Sequence, residues 1–168
     1  MSFYKPDSLK QALTTALDGA HHISDNPDRL QIEILEGTVH ALATPGFGFR
    51  YAYEIAVGVL DFSGELNEIM IPLLLWLERW EPEYLLSHAQ AQRGIRFERQ
   101  PLNDEAANIM FTLKLTEAVG FEPREDGGYD AVHRPSPPIA NTGIAAPLSR
   151  LFANGVEVGQ CSKPLVGN

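Results

Sequence analysis

Leu9, Ala12, Leu13, Ala16, Leu17 and Ala20 recur at the i, i+3, i+4 spacing that lays one apolar face along a helix. Ser8, with Gln11 three residues on, has the pattern of a capping box and predicts where that helix starts. Gly19 and the polar run from Ser24 to Asp28 predict its end. The period then changes to two. Leu30, Ile32 and Ile34 share one face of a strand, Gly37 interrupts it, and Val39, Ala41 and Ala43 share a face beyond it. This predicts a hairpin turning at Glu36-Gly37. Pro45, Gly46 and Gly48 mark a loop. Phe49, Tyr51, Tyr53, Ile55, Val57 and Val59 then alternate with Arg50, Ala52, Glu54, Ala56 and Gly58. That is a long strand with one buried face and a second face partly covered or wet.

Asp61, Ser63 and Gly64 offer turn and helix-start chemistry. Leu66, Ile69, Met70, Leu73, Leu74, Leu77 and Trp80 follow the helical period and predict a second helix over about 65–79. Pro72 either sits in the first turn of a later start or kinks an earlier one. Residues 83–89, after Pro82, have room for one or two more turns. Ile95, Phe97 and Arg99 predict a short strand, Asn103-Asp104 a turn, and Ile109, Phe111, Leu113 and Leu115 a second long strand. Val119–Arg124 and Tyr129–His133 flank Asp126-Gly127-Gly128, a hairpin signal. Helix, three strands, helix, then three or four hairpin-linked strands predicts an α+β domain: a mostly antiparallel sheet with two main helices packed on one face. The domain is expected to span 1–133. Residues 134–168 hold five of the twelve prolines and few charges, and are expected to form an extended arm. Within the arm, Asn154-Gly155 between Leu151-Phe152 and Val156–Val158 suggests a small hairpin. It would need to dock on its own sheet or on a neighbouring subunit.

Composition narrows the function by exclusion. The 168 residues carry a net charge of −9, with 13 dispersed Lys and Arg, where a nucleic-acid binder needs a basic stripe. The longest apolar run, Ile69–Leu77, is too short to cross a membrane and contains Pro72. The N-terminal Lys5, Pro6 and Asp7 do not make a secretory signal. Cys161 is the sole cysteine and has no patterned partner, so it is expected to be an inert thiol. No nucleophile elbow, phosphate loop or His-Glu-x-x-His pair occurs. His21 and His22 are adjacent, so they cannot share a helix face. His40, His88 and His133 have no patterned carboxylate beside them. Glu65 and Glu68 suit the dipole of a first helical turn, Asp104 and Glu105 a turn, and all the carboxylates are expected to be solvated. No catalytic residue, cofactor or metal is expected. Of the two tryptophans, Trp76 is expected in the core and Trp80 at a partner surface. Trp80, Phe152, Val156 and Val158 are the candidate interface residues.

Several segments occur in a recognisable order. They are the opening Lys5-Pro6-x-Ser8-Leu9, FGFRYAYEIAVGVLDF from Phe47, IPLLLWLERWEPE from Ile71, TLKLTEAV from Thr112 and REDGG from Arg124. Over residues 3 to 135 the chain resembles the phage tail completion protein R family of contractile-tailed phages. The resemblance implies a structural subunit, similar to tail terminators, that caps the tail tube and readies the tail for the head. It implies a ring of this chain, six-fold by that likeness, contacting the tail tube protein and a connector or neck protein. DNA would pass through the lumen without specific binding, and no membrane is involved. The place implied is the virion tail, assembled in the host cytoplasm. A head–tail joining protein of related fold is the alternative, and a small enzyme with an unrecognised site a remote one.

Overall fold

A computed structural model describes residues 3–42, 48–82, 84, 94–134, 151–153 and 156–159. Helix α1 (Tyr4–His21) and a short 3-10 turn (Pro27–Arg29) lead into strands β1 (Leu30–Leu42) and β2 (Gly48–Phe62). Helix α2 (Leu66–Trp80) follows, then β3 (Phe97–Pro101), β4 (Ala107–Pro123) and β5 (Tyr129–Arg134). Strands β6 (Leu151–Ala153) and β7 (Val156–Gly159) pair with each other, and β7 runs beside α1. The main sheet is antiparallel in the order β1-β2-β4-β3, with β5 also on β4. This is the expected α+β arrangement.

The period-two pattern decides which face is buried. Tyr53, Ile55, Val57 and Val59 of β2 lie opposite Leu115, Leu113, Phe111 and Ile109 of β4, and all eight are buried. Leu9, Leu13 and Leu17 of α1 and Ile69, Leu73 and Leu77 of α2 are fully buried against the same cluster. Trp76 joins them, its indole N–H donating to Ser8 Oγ at 3.1 Å. The intervening β2 and β4 positions carry Ala52, Glu54, Thr112 and Lys114, a half-wet outer face. Arg29 ties the 3-10 turn to both neighbours, donating to the carbonyls of His21, Leu60 and Asp61.

Three expectations need correction. Glu36-Gly37 is not a turn: Leu30–Leu42 is one continuous strand along β2, with a bulge between Ile34 and Glu36. The bulge adds one residue, Leu35, and so flips the parity. Ile34 faces the core side opposite Ile55, and Gly37 regains it opposite Tyr53. A bulge and a turn leave the same break in an alternating pattern. Gly37 is glycine because a Cβ there would sit 2.9 Å from Tyr53 Cβ. Gly37→Ala is therefore expected to destabilise the domain by about 1–3 kcal/mol, the usual range for overpacking. Urea unfolding measures this, and an unchanged midpoint would refute the close approach.

Second, α1 starts at Tyr4, before Ser8, with Phe3 as N-cap. Pro6 is tolerated because a first-turn N–H has no helical acceptor in any case. The capping box lies in α2 instead, where Glu65 and Glu68 each accept the other's backbone N–H. Pro72 lies inside α2 and leaves the Glu68 carbonyl without its helical donor. Third, Val119–Arg124 is not a separate strand but the end of β4, which turns into β5 through Arg124–Gly128. The expected turns at 83–89 lie outside the described residues, Tyr84 excepted.

Candidate assembly site

Strands β3 and β5 share one edge of β4. β3 pairs as far as Phe111 and β5 begins at Ala118, leaving Thr112–Glu117 without a strand partner on that side among the described residues. Edge backbone groups need partners from elsewhere. The Thr116 N–H finds Glu81 Oε1 at 2.7 Å. Glu81 follows the last residue of α2, so the α2 C-terminus closes on this notch, and the start of α1 closes on it too.

Two helix ends meet there with opposite partial charge. The α1 N-terminus has no side-chain cap of its own, and Glu117 from β4 supplies one. Its Oε1 accepts the Lys5 N–H at 2.8 Å and its Oε2 the Tyr4 N–H at 3.3 Å. The Tyr53 hydroxyl donates to Oε1 at 2.5 Å, and His133 Nδ1 lies 2.8 Å from Oε2. The α2 C-terminus receives the Lys5 ammonium, which donates to the Trp80 carbonyl at 2.8 Å and to Glu81 Oε1 at 2.7 Å. Lys5 is 2% exposed and Glu117 3%. Burial first, and then the bond to Glu117, pushes the Tyr53 phenol far above its ordinary range, so it stays a neutral donor. A second buried pair lies at the other end of α1, where His21 Nε2 is 2.6 Å from Glu68 Oε2. Among the described residues no buried side-chain nitrogen or oxygen lacks a hydrogen bond.

These findings correct the expectation that every carboxylate is solvated and that the histidines lack carboxylate partners. Glu68, Glu81 and Glu117 are buried and paired, two of them with His21 and His133. The pairs join residues far apart in sequence, so local spacing does not display them. One signal is available: Glu117 occupies the inward register of β4, in line with Leu113, Leu115 and Val119. A carboxylate in the apolar register of a strand announces a buried partner.

Trp80 ends α2 half-buried. Its ring meets Tyr4 edge-on at 5.2 Å between centroids and carries the Arg79 guanidinium at 5.3 Å. Phe152, Val156 and Val158 belong to the β6–β7 hairpin, where Phe152 lies opposite Glu157 and Val156 opposite Ala153. Their side chains and Cys161 are outside the described residues. A groove of about 430 Å³ crosses the outer face beside the notch, lined by Glu36, Thr38, Glu54, Glu81, Tyr84 and Lys114 among others. Of its titratable groups, Glu81 is engaged as above and Glu54 lies 3.7 Å from Lys114. Burial raises the Tyr84 phenol, which holds it neutral. No group of three metal-ligating side chains occurs among the described residues.

Beyond the helices the core face of the sheet continues into the open. Phe3, Tyr51, Phe49 and Phe121 form a chain of ring contacts along it, and Ile34 and Val39 of β1 are 42% and 60% exposed. Exposed apolar positions of this kind fit a subunit that works through its surfaces. The model of the P2 phage tail completion protein R (GpR) family matches residues 3–137, and the chain belongs to that family. It is 30% identical over 156 residues to Tail completion protein R of Escherichia phage P2, covering 93% of this chain and 97% of that protein. No solved structure matches it significantly. Its role is structural: completion of a phage tail, in the virion tail, through contact with other tail components.

Proposed function

We propose that this chain is the terminator of the tail tube. It forms a closed ring of copies on the tube end, contacts the tube protein below and a connector or neck protein above, and readies the tail for a filled head. What supports this is the family match, which spans the sheet domain from Phe3 through β5. A ring needs two different patches on each subunit, because its contacts are head-to-tail. Trp80, with the hairpin residues Phe152, Val156 and Val158, is proposed to supply one of them. The −9 net charge suits a lumen through which DNA moves without sticking. No catalytic step is proposed. Assembly is placed in the host cytoplasm.

Electron microscopy of tails made without this chain tests the reading. Tubes of irregular length are expected. Tails of uniform length that fail only to attach to heads would overturn it in favour of a head–tail joining protein. In the same assay, Trp80→Ala is expected to keep the folded far-UV spectrum and to lose length control. Unchanged tails would remove Trp80 from the interface.

A further inference from the structure

We infer that copies of this chain join by strand pairing, the open edge of β1 in one copy adding to the open edge of β3 in the next. The inference rests on the ring reading above and names the contact that would build it. Each of these two strands pairs on one side only among the described residues, β1 with β2 and β3 with β4. An edge strand presents unpaired N–H and C=O groups, and natural edges are usually guarded by Lys or Pro. β1 has neither along its 13 residues, and its one irregularity is the bulge at Leu35.

Strand direction permits the join. β1 and β2, β2 and β4, and β4 and β3 are all antiparallel, so β3 runs opposite to β1. A second copy placed beside the first in the same orientation brings its β1 antiparallel to β3, extending one sheet across both. The register then follows from the rows of the sheet. Phe97, Phe111, Val57 and Ile32 share one row, and Met110 and Gly58 place Glu98 level with Gln31. Arg96, one residue before β3, is level with Thr112, Ala56 and Glu33. Pairing along these rows sets Arg96 of one copy opposite Glu33 of the next, both exposed, and covers Phe97 with Ile32. Opposite charges facing across strands favour this register. A slip of one residue reverses every side chain. A slip of two in one direction sets Glu98 against Glu33. In the other direction it sets Glu98 against Arg29, whose guanidinium already holds three carbonyls.

Charge also selects a second copy of this chain as the occupant. β1 carries Glu33 and Glu36 and no Lys or Arg, whereas the opposite edge carries Arg96 and Arg99 against Glu98. Shape agrees. The notch between β3 and β5 covers the rows from Thr112 to Glu117, which are level with Glu33 to Val39. The Leu35 bulge of the incoming β1 therefore arrives at the notch level with Leu113 and Lys114, and its Thr38 and Val39 level with Thr116 and Glu117, where the ends of α2 and α1 bond.

Cysteines at Glu33 and Arg96 test this, in a Cys161→Ser background, with the subunit assembled into tails. Directly opposed residues across an antiparallel pair lie within disulfide reach. Mild oxidation of purified tails is expected to give a ladder of covalent multimers on a non-reducing gel, absent when either cysteine is present alone. Monomer bands from tails of uniform length that contain the subunit would overturn the edge join and leave the terminator reading standing. Absence of the unaltered subunit from tails would overturn both. If the cysteine variant fails to enter tails, charge reversal decides. Glu33→Arg should lose incorporation and Glu33→Arg with Arg96→Glu should recover it, whereas a Glu33→Arg chain that assembles normally sinks the proposal.

Discussion

Lys5→Met is expected to cost the domain about 3–5 kcal/mol, the range for stranding one member of a buried ion pair. The substitution keeps the length and apolar stem of the side chain, so packing is largely preserved. What goes is the ammonium, leaving the Glu81 carboxylate buried opposite a thioether. Glu81 keeps the Thr116 N–H at 2.7 Å, and Thr116 Oγ1 at 3.5 Å adds little. The Trp80 carbonyl also loses its donor at the negative end of α2. The companion variant separates charge from shape. In Lys5→Met/Glu81→Gln the amide oxygen still accepts from Thr116 and no charge is left buried at either position, so most of the loss should be recovered, to within about 2 kcal/mol of the parent. Urea unfolding of the three chains, with m held common, measures the cycle. A loss under about 1 kcal/mol for Lys5→Met would mean that the pair is solvated.

The difference between what is legible in the sequence and what is not follows from how each signal is carried. Burial on β2 and β4 is carried by every second residue, so alternation alone places Tyr53 to Val59 and Ile109 to Leu115 on the core face. Helix α2 is legible almost to its ends for the same reason, its apolar positions recurring at the helical period. The bulge at Leu35 is legible only as a break, since one inserted residue and a two-residue turn disturb alternation alike, and the partner strand decides between them. The start of α1 is hidden because its cap comes from Glu117, more than 110 residues away, while Ser8 and Gln11 match a local pattern by chance. The assembly site is half legible. Trp80 stands out as a large aromatic at a helix end. The Lys5–Glu81 and Glu117 bonds behind it exist only once α1, α2 and β4 meet, and no spacing rule reaches across that distance. The open edges of β1 and β3 are equally invisible, because strand order is not written in the pattern of any one strand.

Glu117→Leu is expected to cost about 3–5 kcal/mol, because it unpairs several buried donors around one vanished charge. Glu117→Gln should cost less, about 1–3 kcal/mol, and geometry sets that order. Each carboxylate oxygen receives one backbone N–H that cannot turn away, Lys5 on Oε1 and Tyr4 on Oε2. Whichever way the amide of glutamine lies, its NH₂ faces one of them. The better arrangement puts the NH₂ on the Oε2 side, where the Tyr4 bond is long at 3.3 Å and His133 Nδ1 can accept once its ring carries the proton on Nε2 instead. The shorter bonds from Lys5 and Tyr53 then survive. Leucine keeps none of them and removes the negative charge that faces the α1 dipole. The loss should therefore be local as well as global: amide exchange at Tyr4 and Lys5 should accelerate more than exchange in the middle of α1, which the leucine face still holds. Equal stability of the glutamine and leucine variants would show that charge alone matters there. Unchanged exchange at Tyr4 and Lys5 would show that Glu117 does not cap the helix. Tyr4 meets Trp80 edge-on, so fraying of this turn should also loosen the aromatic surface proposed to meet the next subunit. Tail-length control is then expected to fall in the same order as stability, with glutamine above leucine.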